Sequence, residues 1–197
     1  MRSIAGELDL KFVGEVGYPD GFGLGNFMFF HKGTKKEFQN LMSGMLGNVR
    51  VVVFDYSYEN TEIKGRLAPL PKARSEQTVI ILKLPNANLP KFTLYPRTKF
   101  ANLTKFFDTG SKKSFFINLS KFSKFSRRYV VITDNRNAEA GFSKKMVKFF
   151  EGHSDFSAQS HRGYLLLYKK DEFIHARNLK NVVLEASQMF ELFAQAY

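Results

Sequence analysis

An α+β fold, a mostly antiparallel sheet with helices packed on it, is what this sequence predicts, and three observations predict it. Short runs rich in β-branched and aromatic residues recur at Val49–Tyr58, Gln77–Leu84, Ser126–Thr133 and Gly163–Tyr168, the composition of strands. Apolar residues return at helical spacing over Ala138–Glu151 and again over Ala176–Ala194, as on the buried face of a helix. The order is strands and a hairpin first, then strand, helix, strand, helix, which segregates the elements instead of alternating them.

Taken in order, Arg2–Leu10 reads as a short helix with Ile4, Ala5 and Leu8 on one side, leading into Lys11-Phe12-Val13. Gly14–Asn26 is a Gly-rich loop. Its Gly21-Phe22-Gly23-Leu24-Gly25 lacks the spacing of a dinucleotide fingerprint. Phe27–Phe30 and Phe38–Met45 are apolar pieces around the polar turn His31–Lys36. Val49–Tyr58 then supplies the organising strand and is expected at the sheet centre. Glu59–Glu76, with Pro69 and Pro71, reads as a long hairpin loop, because proline cannot continue a central strand. Gln77–Leu84 is apolar on both faces and so is expected inside the sheet.

Lys91–Tyr95 alternates as a half-exposed strand ending at Pro96. A short helix from Lys99 toward Phe106-Phe107 and a strand over Lys113–Leu119 are expected next. Ser126–Thr133 is a clearer strand, and Gly152 stops the helix that follows it. Gly163–Tyr168 is a buried strand. In the last helix Leu179, Val182, Val183, Ala186, Met189, Phe190 and Phe193 form an apolar stripe. One domain accounts for 1–197: an N-terminal lead-in over 1–47, a strand hairpin over 48–96 with its long loop at 59–76, a basic aromatic-rich segment over 97–125, and strand, helix, strand, helix over 126–197.

Composition narrows the function. With 197 residues, 44% of them apolar, the chain is long enough to bury a core, and 22 Phe against no Trp make phenylalanine its filler. No apolar run is long enough to span a membrane and no signal peptide opens the chain, so a soluble chain is expected. The absence of Cys excludes disulfides, thiolate metal sites and cysteine nucleophiles. His31, His153, His161 and His175 show no metal-ligand spacing, no Gly-x-Ser-x-Gly elbow is present, and no cofactor motif is found. Arg162-Gly163-Tyr164 opens like an RNA-recognition strand, but Leu165 stands where that motif needs Gly or Ala.

The net charge of +12 is concentrated. Between Lys91 and Tyr129 lie ten cations (Lys91, Arg97, Lys99, Lys105, Lys112, Lys113, Lys121, Lys124, Arg127, Arg128) and the single acid Asp108, so this stretch carries +9 and the rest of the chain +3. Ten aromatic residues are interleaved with them. Of these cations, Lys99, Lys105, Lys112, Lys113, Lys121 and Lys124 form the candidate anion- or membrane-binding set. Asp55, a carboxylate inside an apolar strand, must face solvent, find a partner or stay protonated. A structural ion pair with Arg127 or Arg128 is expected, with a general base as the catalytic alternative.

The motifs Val53-Phe54-Asp55-Tyr56-x-Tyr58, Gln77-Thr78-Val79, Leu84-Pro85, Leu89-Pro90-x-Phe92-x-Leu94-x-Pro96, Phe125-Ser126-Arg127-Arg128-Tyr129 and Leu165–Tyr168 resemble, in this order, a family of uncharacterised bacterial proteins. Many of its members carry a membrane-spanning segment ahead of this domain. Arg97 departs from the acid usual after the proline, and no span is expected within these residues. The resemblance implies no activity; it implies a location in the cytoplasm, peripheral to or tethered at the inner membrane. Three classes of function remain open: a non-catalytic binding or scaffold domain meeting an anionic lipid surface or another protein, a nucleic-acid-binding domain, and an enzyme with a site assembled around Asp55.

Overall fold

The structure, a computed structural model, describes residues 1–19, 21–59, 74–84, 87, 89–100, 115–135, 138–139 and 142–194. All nine of its strands join one antiparallel sheet: β1 (Lys11–Val16), β2 (Thr34–Leu46), β3 (Val49–Glu59), β4 (Arg74–Lys83), β5 (Phe92–Pro96), β6 (Phe115–Phe116), β7 (Tyr129–Thr133), β8 (Phe156–His161) and β9 (Tyr164–Lys169). Helices α1 (Arg2–Glu7), α2 (Arg97–Phe100), α3 (Ser123–Arg128), α4 (Lys144–Gly152) and α5 (Ala176–Ala194) complete the described elements. The α+β architecture expected from the sequence is what the chain adopts.

The strand order is β1-β2-β3-β4-β9-β8-β5-β7-β6. The first four strands form an antiparallel meander, while β5, β7 and β6 form a second group. The hairpin β8–β9 is inserted between the two. The middle of the sheet is therefore β9, and β3 stands third from one edge, which corrects the central place expected for it. β5 lies between β8 and β7, so Leu94 and Tyr95 are buried, where a half-exposed strand was expected.

A hydrophobic core lies on each face of the sheet. Alternation sends Val49, Val51 and Val53 of β3 with Ile80 and Leu82 of β4 to one face, against α1, α4 and α5. α5 presents there every position of its expected apolar stripe, from Leu179 to Phe193. Val52, Phe54, Tyr56 and Tyr58 point the other way, against two 3-10 turns at Leu24–Asn26 and Met28–His31. This second core is built from rings, with Phe29 set 4.1 Å from Tyr168 and 5.4 Å from Tyr56 between centroids. Each fully buried ring or leucine contributes about 2 kcal/mol through lost apolar surface. Both cores therefore stabilise the sheet, and neither face of its middle strands reaches water.

Local chemistry fixes the joints. In the β8–β9 turn Arg162 and Gly163 take φ of 46° and 78°, the left-handed pair that a two-residue hairpin favours. A Cβ on Gly163 would sit 2.9 Å from the Ala87 carbonyl oxygen, so only glycine fits. Arg162-Gly163-Tyr164 is this turn, and Leu165 beyond it is core. In β2, Asn40 (φ 53°) marks a register shift between Gln39 and Met42, a β-bulge that re-aims a side chain. The strand expected from Ser126 starts at Tyr129, because Ser123–Arg128 is helical and Phe125 on it is buried in the core.

Candidate functional site

Two polar regions of the sheet could host a site, and they are built differently. The first surrounds Asp55. The bulge at Asn40 aims its amide at the carboxylate, so Asn40 Nδ2 donates to Asp55 Oδ2 at 2.9 Å. The directly opposite Thr78 donates from Oγ1 to Oδ1 at 2.8 Å. Thr78 Oγ1 in turn accepts from the Ile174 backbone N–H at 3.0 Å, fastening the β9–α5 connection to β4. Both carboxylate oxygens are thus engaged by neutral donors that hold them in place.

This corrects the ion pair expected with Arg127 or Arg128. Four strands separate β3 from β7, and at about 4.8 Å per strand this places them about 24 Å apart. Arg127 and Arg128 lie on α3, where Arg127 Nε donates to the Ser123 carbonyl at 3.2 Å. Asp55 is held instead by Asn40 and Thr78, both neutral. Beside it the remaining charges are also matched. Arg74 bridges Glu37 at 2.6 Å and Glu76 at 2.7 Å and donates to Ser57 Oγ, while Lys35 meets Glu59 at 2.9 Å. The Arg74 guanidinium holds the Glu37 carboxyl below the usual carboxylate range.

The second region is the opposite edge, at β6, β7 and α3. Phe125 anchors α3 in the core, stacked 5.0 Å from Tyr129 and set 6.3 Å from Phe142 and 6.2 Å from Phe150 of α4. Tyr129 Oη donates to the Phe150 carbonyl at 3.2 Å. Burial pushes that phenol up to about 12. α3 and α4 are thereby packed together, with their polar sides outward. Lys124, Arg127 and Arg128 on α3 and Lys144, Lys145 and Lys148 on α4 are all exposed. Among the described residues none of the six has a carboxylate within ion-pair distance, in contrast to Lys121, which meets Glu139 at 3.2 Å.

Between α3 and the sheet edge lies a groove of about 520 Å³, lined by residues 116–120, 125–126 and 129–131 together with Arg97. Leu119, Phe125, Tyr129 and Val131 are core residues buried beneath it, and the apolar surface open to the groove is that of Phe116 and Ile117. Arg97 is held at the rim by its Nε, which donates to the Ser126 carbonyl at 2.9 Å. Phe116, on the two-residue edge strand, is 69% exposed.

Of the six lysines singled out from the sequence, Lys121 and Lys124 fall at this edge. Lys105, Lys112 and Lys113 lie outside the described residues, as does the side chain of Lys99. Phe122 is half-buried against the helix-side core and Phe125 is fully buried. The lysines of α4 were not foreseen as part of the site, although their spacing, opposite Met146, Phe149 and Phe150, was there to be read. Among the described residues no group of three His, Asp or Glu side chains could hold a metal ion. No described helix is long and apolar enough to cross a membrane.

An antiparallel sheet with helices on one face and an aromatic cap on the other defines the class. No protein-family model matches the chain, and no curated protein does. Among solved structures it is similar in fold to the crystal structure of the mycobacterial trehalose monomycolate transport factor A, TtfA, with a TM-score of 0.60. That match covers 99% of this chain and 90% of the other at 14% identity, which speaks for a shared fold.

Proposed function

We propose that this protein is a non-catalytic binding domain that docks on an anionic membrane surface through the outward face of α3 and α4. The observation that carries the reading is the set of six exposed cations on two packed helices, none of which has a carboxylate partner among the described residues. Unpaired charge on a rigid support keeps its field available to an external anion. Each cation close to an anionic leaflet adds about 1 kcal/mol, so three or four in register give useful adsorption. The exposed ring of Phe116 at the same edge supplies an apolar contact that a lipid surface can bury and a purely polar polyanion cannot.

Two further points support it. The sequence motifs resemble bacterial proteins in which a membrane span precedes this domain, which would hold this face at the cytoplasmic side of the inner membrane. The solved protein of similar fold is named as a transport factor, a role compatible with binding rather than conversion. The test is co-sedimentation with vesicles of pure zwitterionic lipid and of the same lipid doped with phosphatidylglycerol, at rising salt. Binding to the doped vesicles alone, weakening as salt rises, is expected. Equal or tighter retention on single-stranded DNA under the same salt would replace this reading with nucleic-acid binding.

A further inference from the structure

We infer that the groove between α3 and the β6–β7 edge takes a single anionic lipid, its acyl chain lying over Phe116 and Ile117 and its head on Arg97. This rests on the membrane reading above and deepens it, from a surface that adsorbs to a site that holds one molecule. The groove has the size and composition of a ligand site. At about 520 Å³ it falls inside the range of about 300–1,000 Å³ usual for small-molecule pockets, which combine an apolar lining with a few placed polar groups. Phe116 and Ile117 give it open apolar surface, while Arg97, Asn118, Ser120 and Ser126 stand among its lining residues.

Charge selects the occupant. Only Nε of Arg97 has a hydrogen-bond partner among the described residues, the Ser126 carbonyl, so the terminal guanidinium nitrogens remain available as a fork. Such a fork matches a phosphate or carboxylate bidentately. The cations of α3 begin at Lys124, immediately before the groove residues Phe125 and Ser126. An amphiphile that is apolar along one end and anionic at the other satisfies both parts of the lining at once.

The test is titration of the full chain, followed by amide chemical shifts, with dodecyl phosphate below its micelle concentration, and in parallel with inorganic phosphate and with the neutral dodecyl maltoside. Saturable binding of dodecyl phosphate at least ten-fold tighter than either control is expected, with shifts centred on residues 116–120 and 125–131. Arg97→Gln should weaken it about ten-fold. Ser120→Trp, an exposed position that fills the groove without touching the core, should abolish it while the unfolding temperature holds. Asn118→Trp, also at an exposed lining position, is the second filling variant, should Ser120→Trp misfold.

Equal binding of dodecyl phosphate and inorganic phosphate overturns the acyl-chain site, and equal binding of dodecyl maltoside overturns the role of Arg97. Vesicle adsorption that persists while dodecyl phosphate fails to bind would remove this inference and leave the membrane reading standing. Binding of dodecyl phosphate without vesicle adsorption would do the reverse.

Discussion

The two ends of the sheet handle charge in opposite ways. At the β2–β3–β4 end, Asp55, Arg74, Glu37, Glu76, Lys35 and Glu59 have partners within the same three strands. At the β6–β7 end, cations on α3 and α4 stand exposed without carboxylates among the described residues. A charge that is matched inside the fold fixes register and geometry, and its field closes on itself. An unmatched charge on a buried anchor adds little to stability and stays available to a partner. On the function proposed above, this contrast sets the β6–β7 end apart as the binding side.

The hardest way to break this contrast is to loosen the anchor. Phe125→Ala removes a fully buried ring stacked on Tyr129 and should cost about 3–5 kcal/mol by chemical denaturation, with vesicle binding falling alongside. A loss below about 1 kcal/mol would mean that α3 is not held as described. Next comes the joint variant Lys124→Gln, Arg127→Gln, Arg128→Gln. At about 1 kcal/mol per cation it should lower affinity for anionic vesicles by about two orders of magnitude, with the denaturation midpoint nearly unchanged. Unaltered affinity would move the contact elsewhere.

At the other end the effects should reverse. Thr78→Val strips buried Thr78 of its bonds to Asp55 and to the Ile174 N–H and should cost about 1–3 kcal/mol of stability, leaving vesicle affinity intact. A change in affinity there would undo the division between the two ends.

The last effect is one of pH, and it spans both ends. Burial raises the phenols of Tyr56, Tyr95 and Tyr168, and brings Tyr129 to about 12. An unfolded tyrosine ionises near about 10. Above that pH the unfolded chain has lost protons that the folded chain keeps, so stability should fall as pH rises from about 10 toward 12. An ultraviolet titration of tyrosinate should show at least these four of the eight tyrosines ionising late, together with unfolding. Eight normal titrations with the fold intact would contradict the burial.

Much of this was legible in the sequence, and the failures have identifiable causes. α5 and β4 announce themselves through a 3.6-residue stripe and a two-faced apolar run. β8 was missed because Ser157, Gln159 and Ser160 make it polar although all three are buried. Only the two-residue turn at Arg162-Gly163 points back to it. Arg127 and Arg128 read as strand because they abut Val130-Val131-Ile132, yet the Ser126 N–H bonds to the Phe122 carbonyl at 2.9 Å and winds that stretch into a helix. The partners of Asp55 were hidden because a bulge brings Asn40 to it, and a bulge leaves no periodic trace. At the candidate site the basic stretch is plain in the sequence, while what the sequence does not show is that packing brings Lys144, Lys145 and Lys148 of α4 up beside it.

The inserted hairpin has a consequence for how the molecule comes into being. During synthesis β1 to β4 emerge as one meander and β5, β6 and β7 as a second group, yet neither has a partner for its inner edge until residues 156–169 follow. Until then β4 presents Val79–Leu82, an apolar edge of the kind that recruits other chains. The closing step joins strands far apart in sequence, so it should be late and slow compared with formation of either group. The β8–β9 hairpin is the keystone of this sheet: the last strands to arrive turn two incomplete assemblies into one.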